Sequence, residues 1–395
     1  MSIEKLKFQI SDSLEPVPAE AWDRLVGEEG TPFMEYAWLR GLEVTGCVDP
    51  EVGWMPQIVT AWEERDGEAD RLVGAVPLYL KGNSRGEFVY DWAWADLARR
   101  VGVPYYPKMI AAVPFSPVSG ARLLTNPDLS EEERGVVLRA IVQVSIQLAR
   151  EMGVSGLHFL FVTPEHARLL EDEGLMIRNH YQYHWRNEGY DTFDDFLGRF
   201  KSKKRNNIKR ELRDVSDAGV TFETRTGAEL DDALMDHLFA FYTSTCDKFV
   251  WGQTYLNRPF FEHVRAHMPE RLLMFLARDG GGDPVAGTFN LFKGDRMYGR
   301  YWGCHREIEF LHFVTCCYEP IDYAIQRGIK HFEPGQGGHH KYKRGFEPVK
   351  TWSAHWIADP RMAALLKQHL RQEREAVDEE IARMLSESPL VHPPG

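Results

Sequence analysis

Val285-Ala-Gly-Thr-Phe-Asn-Leu-Phe-Lys-Gly-Asp-Arg-Met-Tyr-Gly-Arg-Tyr-Trp302 is the stretch on which the fold turns. Its two apolar-rich runs, 285–293 and 296–302, read as strands separated by turn residues. A long apolar helix over 309–327 follows, then the strand Ile329-Lys-His-Phe-Glu333. Strand, strand, helix, strand is the alternation of α/β architecture. Working outward, 272–278 (LLMFLAR) reads as a further strand before the turn at Asp279–Pro284. Helices are expected over 228–246 and 256–268, and another begins near Thr192 and runs into a basic segment.

The first half repeats this order. Segments 57–65, 72–82 and 86–94 read as strands, followed by a helix over 130–152. Ser130 with Glu133 forms a capping box for that helix, and Gly153 ends it. The apolar run 157–162 is expected as a buried strand, with a short helix over 164–173 and an alternating strand over 175–186. Val73–Gly82 lies without gaps on Val285–Gly294, and Tyr90-x-x-x-Trp94 matches Tyr298-x-x-x-Trp302 after a four-residue length difference. Few identities are involved, so both internal duplication and shared hairpin chemistry fit. The expected organisation is a lobe over 1–188, a second over 189–361, and a charged helix with a Pro-rich end over 362–395.

Hydrophobic residues at 43% and charged residues at 27% are globular values for a chain of 395 residues, enough for two cores. The opening Met1-Ser-Ile-Glu-Lys-Leu-Lys7 has no apolar core, so no secretory leader is expected, and no run is apolar enough for a membrane span. Five cysteines with no C-x-x-C fit a reducing, cytoplasmic setting and argue against a disulfide scaffold or structural zinc. A net charge of -12 disfavours a general nucleic-acid binder. One segment departs from this: between Arg199 and Arg213 there are eight basic residues and one acid, Glu211, a local charge of +7 against -19 elsewhere. Phe196, Phe200, Ile208 and Leu212 give that segment an apolar face, which leaves Lys203, Lys204, Arg205 and Lys209 free for phosphate; a solvated helix face is the plain alternative.

The densest concentration of reactive residue types is Phe332-Glu-Pro-Gly-Gln-Gly-Gly-His-His-Lys-Tyr-Lys-Arg-Gly-Phe346. Here a strand ends in a glycine-rich loop, the place where ligands gather in open α/β sheets. An ordinary solvated turn is the bland reading. His340 and His339, with Glu333, are the candidate catalytic residues, since imidazole titrates near neutral pH. Lys341, Lys343, Arg344 and Gln336 are candidate ligand contacts, as are Arg300 and Tyr301 on the preceding strand. No metal site is expected: His263-x-x-x-His267 lacks the H-E-x-x-H context, and Cys316-Cys317 reads as core.

The order of elements over 285–333 resembles the core of the GNAT acyltransferase superfamily. Phe332-Glu-Pro-Gly…His340-Lys341…Arg344-Gly-Phe346…Ser353-Ala-His-Trp356 looks like the signature of the FemAB-like family of peptidoglycan biosynthesis or recognition proteins. Pro32-Phe…Trp38-Leu, Tyr105-Tyr-Pro-Lys…Pro114-Phe-Ser-Pro-Val, the Lys203–Arg210 segment, Phe241-Tyr-x-x-Thr…Lys248…Trp251-Gly…Tyr255-Leu and Cys317-Tyr318 fit it too. The resemblance covers nearly the whole chain. It implies two tandem GNAT-like lobes, each a mixed sheet flanked by helices. It also implies transfer of an acyl or aminoacyl group to an amine, from aminoacyl-tRNA to a cell-wall precursor in characterised relatives. Where the family shows Gln-Gly-Glu-His-Lys, this chain has Gly337-Gly-His-His-Lys341, so the loop glutamate is absent. The turn Gly303–Phe310 carries Glu307 and Glu309 and no further glycine, a poor cradle for the pyrophosphate of acyl-CoA. The expected donor is therefore aminoacyl-tRNA or another activated anionic carrier, with acyl-CoA less favoured and no bound cofactor assigned. A non-catalytic glycopeptide-binding protein is the alternative from another class.

Overall fold

The computed structural model describes residues 5–248 and 253–391, so Trp251-Gly252 of the family-like pattern lies outside the described residues. Two compact units emerge. One comprises residues up to His180 together with Lys350–Glu379; the other comprises Tyr181–Val349 together with residues from Glu380 onward. The sequence reading drew contiguous lobes over 1–188 and 189–361 and set 362–395 apart, whereas each compact unit is discontinuous along the chain.

In chain order the first half forms β1 (Leu6–Ser11), α1 (Ala19–Val26), α2 (Tyr36–Val44), β2 (Met55–Glu63), β3 (Arg71–Lys81), α3 (Trp92–Val101) and β4 (Lys108–Ala111). It continues through β5 (Leu124–Thr125), α4 (Glu131–Glu151), β6 (Gly156–Val162), α5 (Pro164–Asp172) and β7 (Met176–Arg186). The second half forms α6 (Phe193–Gly198), α7 (Ser202–Asp217), β8 (Thr221–Thr226), α8 (Asp232–Cys246), α9 (Arg258–His267), β9 (Leu272–Arg278), β10 (Pro284–Lys293) and β11 (Arg296–Cys304). After these come α10 (Leu311–Phe313), α11 (Glu319–Gln326), β12 (His331–Glu333), α12 (His339–Tyr342), β13 (Glu347–Ile357) and α13 (Pro360–Ser386).

The two halves use one topology. In the first unit β1, β2, β3 and β4 pair antiparallel in turn; β4 then pairs parallel with β6 across α4, and β6 pairs antiparallel with β13. In the second, β8, β9, β10 and β11 pair antiparallel in turn; β11 pairs parallel with β12 across α10–α11, and β12 pairs antiparallel with β7. Each sixth strand comes from the other half of the sequence. β3 and β10, the two segments that align without gaps, occupy the same topological place, which makes duplication the better account of that match.

Local chemistry explains the elements. β6 is buried along its whole length, as a strand covered on both faces requires, and packs with Val137, Ile141 and Ile146 of α4. The expected capping box on α4 is formed, Glu133 N–H donating to Ser130 and the Glu133 carboxylate accepting from the Ser130 N–H. Cys317 is buried, and burial pushes its thiol up to about 12, consistent with a core role.

Two expectations are corrected. Segment 86–94 is not a strand: Gly86 and Phe88 take φ values of 76° and 60°, and α3 starts at Trp92. The topological partner of β11 is therefore β4, and the Tyr90/Trp94 match to Tyr298/Trp302 has no structural counterpart. The helix expected over 309–327 starts at Leu311 and carries a π-helical turn at Val314–Tyr318 ahead of Pro320, whose ring nitrogen has no proton to donate.

In the first unit His158 and His355 have their Nδ1 atoms 2.8 Å apart, and His355 Nε2 lies 2.8 Å from Ser353 Oγ. Burial lowers His158 from 6.5 to about 3 and His355 well below its ordinary value. The folded state binds these protons less readily than the unfolded chain, so their contribution is complete above about 6.5 and is lost as pH falls through the depressed values. The Tm followed by circular dichroism is expected to drop as pH is lowered from 6.5 to about 3, and replacing both residues with Gln should flatten that decline.

Candidate functional site

Parallel pairing joins β11 to β12 only through Arg296–Tyr298 and His331–Glu333, so Gly299–Cys304 runs on past the end of its neighbour. Strands that part at their carboxyl ends open a crevice there. Behind it β11 lies directly on α8: a Cβ at Gly303 would sit 1.7 Å from the Phe241 carbonyl oxygen, so only glycine permits the contact. Side chains alternate along β11. Tyr301 enters the aromatic cluster of Tyr242 and Phe289, with ring centroids 4.7 and 6.1 Å away. Trp302 and Cys304 face a cavity of about 360 Å³ instead.

The turn Glu307–Phe313 forms the rest of the cavity wall, with Lys248 at its edge. Lys248 Nζ is 3.0 Å from Glu307 Oε1 and 3.8 Å from Cys304 Sγ. Phe310 heads the helical segment at φ 65°, a left-handed conformation that costs a non-glycine residue about 1 kcal/mol and is met most often at ligand sites. His312 stands between Trp302 and His340, its ring centroid 4.7 and 5.2 Å from theirs. Burial first, and neighbouring positive charge second, lower both His312 and His340 to about 4. At neutral pH both rings are uncharged and able to accept a proton. His340 Nε2 is buried without a partner. Its ring folds over Gly338, where a Cβ would meet His340 Cε1 at 2.6 Å and φ is 89°.

The glycine-rich loop and the basic helix meet in this unit. Arg344 pairs with Glu211 through Nη2–Oε1 at 2.9 Å and Nε–Oε2 at 3.2 Å, and donates from Nη1 to the His340 carbonyl at 3.0 Å. Its guanidinium stacks 3.2 Å above the Phe313 ring, and the Tyr318 hydroxyl donates to Glu211 at 2.5 Å. Lys341 is buried, donating to the carbonyls of Pro334 and Gly335 at 3.0 and 2.8 Å, and burial lowers it to about 8. It holds the loop together from within. Gln336 accepts from Gln182 at 2.7 Å, and exposed His339 lies 3.3 Å from the Tyr183 hydroxyl. Glu333 and Arg300 are buried together, 3.4 Å apart, with His184 3.9 Å from Glu333.

Other cations remain at the surface. Lys343 and Lys203 are exposed, and Arg205 is half-buried. Lys204 is half-buried; burial, then the charges of Arg344 and Lys343, lowers its ammonium. Lys209 lies 3.9 Å from Asp194, and Arg210 covers the Phe310 ring at 5.8 Å. The structure thus gathers His340, Lys341, Arg344, Lys204 and Lys343, places Arg300 with Glu333 in a separate buried pair, and turns Tyr301 to the opposite face of the strand. His312 was not singled out from sequence, and Trp302 and Lys248 entered only as pattern positions, not as site residues. The available signal for His312 was its place in the first helical turn after a strand end.

The profile of the FemAB-like family, described as peptidoglycan biosynthesis/recognition, matches residues 13–392. This chain belongs to the FemAB-like family. Among solved structures, FemX aligns with 92% of this FemAB-like chain and 100% of its own, at 12% identity and a TM-score of 0.53. The C-terminal domain (DUF2156) of a putative lysylphosphatidylglycerol synthetase from Agrobacterium fabrum aligns over 89% and 95%, at 11% identity and 0.52. L-PGS from Bacillus licheniformis aligns over 90% and 97%, at 10% identity and 0.52. At such identities these likenesses speak to the fold, which is that of tandem GNAT-like units. No protein of curated function matches the chain in sequence. No helix among the described residues is long and apolar enough to cross a membrane.

The Glu211–Arg344 pair is amenable to a double-mutant test. Arg344→Met, which strands a buried carboxylate, is expected to lower stability by about 3–5 kcal/mol, and adding Glu211→Gln should recover a substantial part of it. Urea unfolding of the unaltered protein, the two single variants and the double variant measures this.

Proposed function

We propose that this FemAB-like protein is a transferase that forms an amide bond on an amine acceptor, drawing an acyl or aminoacyl group from an anionic activated carrier. One observation carries the reading: a cavity at the parted end of β11, walled by the neutral His312 and backed by His340, in the same unit as Lys203, Lys204 and Arg205 of α7 and exposed Lys343. In the reaction the acceptor nitrogen attacks the donor carbonyl, a C–N bond forms and the bond to the carrier oxygen or sulfur breaks. The proton leaving the amine goes to His312 and then to the departing carrier atom, a role for which an uncharged imidazole is required. His340, with its free Nε2, would position His312 and share the proton.

Aminoacyl-tRNA fits this site better than acyl-CoA. The turn before α10 presents Glu307 and Glu309, whose carboxylates oppose a pyrophosphate at this helix N-terminus. α7, by contrast, has 16 residues and so extends about 24 Å, long enough to follow several phosphates of a nucleic-acid backbone. The family description favours a cell-wall precursor as acceptor, and the setting we propose is cytoplasmic. His339 in place of the family glutamate favours a second reading, that the protein binds a glycopeptide without turning it over.

Purified protein incubated with charged tRNA or acyl-CoA and an amine-bearing cell-wall precursor should yield an acceptor heavier by one aminoacyl residue, from charged tRNA alone. His312→Ala is expected to reduce kcat about a hundredfold with KM little changed. Lys204→Ala with Lys343→Ala should raise KM for the donor and flatten its salt dependence. Binding of the precursor without mass transfer would select the second reading, and release of free CoA would select acyl-CoA as donor.

A further inference from the structure

The Tyr105-Tyr-Pro-Lys108 motif takes no part in the site above, and it leads to a second constellation within the first unit. Lys81 ends β3 and Lys108 begins β4, and the two stand directly opposite each other in the antiparallel ladder. Both are buried, 0% and 1% exposed. Like charges facing each other across a ladder repel, and buried ammonium groups need counter-charge, so this pair of positions makes sense only around an anion.

The anions present come from one loop. Glu87 Oε2 accepts from Lys108 Nζ at 2.7 Å, Asp91 binds the same ammonium, and Ser84 Oγ lies 2.8 Å from it. The Tyr105 hydroxyl donates to Asp91 at 2.6 Å. Lys81 rests 3.8 Å over the Trp54 ring and donates to the Arg85 carbonyl at 3.0 Å; burial lowers its ammonium to about 7, a fall that Glu87 and Asp91 oppose and Lys108 adds to.

That loop is not held as local physics prefers. Asp91 is the N-cap residue of α3, yet its carboxylate makes no capping bond, because it is spent on Lys108 and Tyr105. Phe88 is left-handed at φ 60°. Tyr90 and Trp92, on either side of buried Asp91, are 59% and 55% exposed. Glu87 Oε1 and Asp91 Oδ1 are buried with no hydrogen-bond partner. α3 buries Trp94 and Ala98 in a small satellite cluster with Tyr105, Ile357 and Met362, separate from the main core of this unit. Further tethers are Arg178, which donates to the Tyr90 carbonyl at 2.8 Å, and the Phe115 N–H, which donates to the Gly86 carbonyl at 3.2 Å.

We infer that Lys81 and Lys108 form an anion-binding site, closed in this state by Glu87 and Asp91 of the 82–101 segment, whose carboxylates occupy the place of a ligand's acidic oxygens. When the segment lifts, both carboxylates leave with it, and two lysines and the Tyr105 hydroxyl face the opening. The ligand class is a compound with paired acidic oxygens, either a dicarboxylate or a phosphate. The inference does not depend on the transfer reaction proposed above, since all of its residues lie in the first unit.

Succinate and pyrophosphate serve as probes in titration calorimetry. The Glu87→Gln/Asp91→Asn variant, freed of its internal competitor, is expected to bind one of them at least about tenfold more tightly than the unaltered protein. Adding Lys108→Met should abolish that gain, and the tighter probe identifies the acidic group. A folded double variant that binds neither probe overturns the inference. If the variant does not fold, amide hydrogen exchange on the unaltered protein decides. Saturating probe should accelerate exchange across 84–101 about tenfold while β6 is unchanged, and identical exchange with and without either probe overturns the proposal.

Discussion

Glu211 is the one acid in a segment of eight basic residues, and the geometry of the candidate site depends on it. Its two oxygens receive Arg344 side-on and the Tyr318 hydroxyl, so three separate elements, α7, the π turn and the stretch after α12, converge on one carboxylate. Bidentate pairing fixes orientation as well as distance. With Arg344 fixed, its guanidinium covers Phe313 and its Nη1 holds the His340 carbonyl, which sets the imidazole against His312. Without Glu211 the cations of α7 and of the glycine-rich loop would repel each other, and the residues they border would have no reason to stay together.

Burial does much of the chemical tuning. His312 and His340 are neutral because the wall around them is desolvated and already positive, not because a carboxylate orients them. Lys341 shows the same economy: three backbone carbonyls of the glycine-rich loop take up its ammonium, which lets a tight loop of left-handed glycines keep one shape. A lysine that reads from sequence as a ligand contact is thus mostly internal scaffolding, while Lys343, two residues on, stands exposed.

How far sequence alone reaches can be judged from these cases. β3 and β10 were legible because unbroken apolar runs bounded by glycine have few other readings, and their alignment pointed correctly to a repeated topology. Segment 86–94 failed because its aromatics alternate like a strand, while the left-handed turns at Gly86 and Phe88 and the diverted Asp91 depend on a lysine 17 residues further on. Charge and residue type mark α7 and the 332–346 loop separately, but what joins them, a Glu211–Arg344 pair spanning 133 positions, leaves no local signal. His312 escaped notice because a lone histidine in an apolar helix usually belongs to the core; only the early parting of β11 from β12 gives it a cavity to face.

The exchange of sixth strands has a temporal side. β6 is finished by residue 162, yet the strand that covers its edge, β13, starts at residue 347. A ribosome delivering this chain from the amino end therefore releases a first sheet with one raw flank, and that flank stays exposed through the synthesis of nearly the whole second sheet. Bare strand edges invite pairing with the wrong neighbour. Cellular handling of the nascent chain, and any attempt to express its front half by itself, must reckon with that interval.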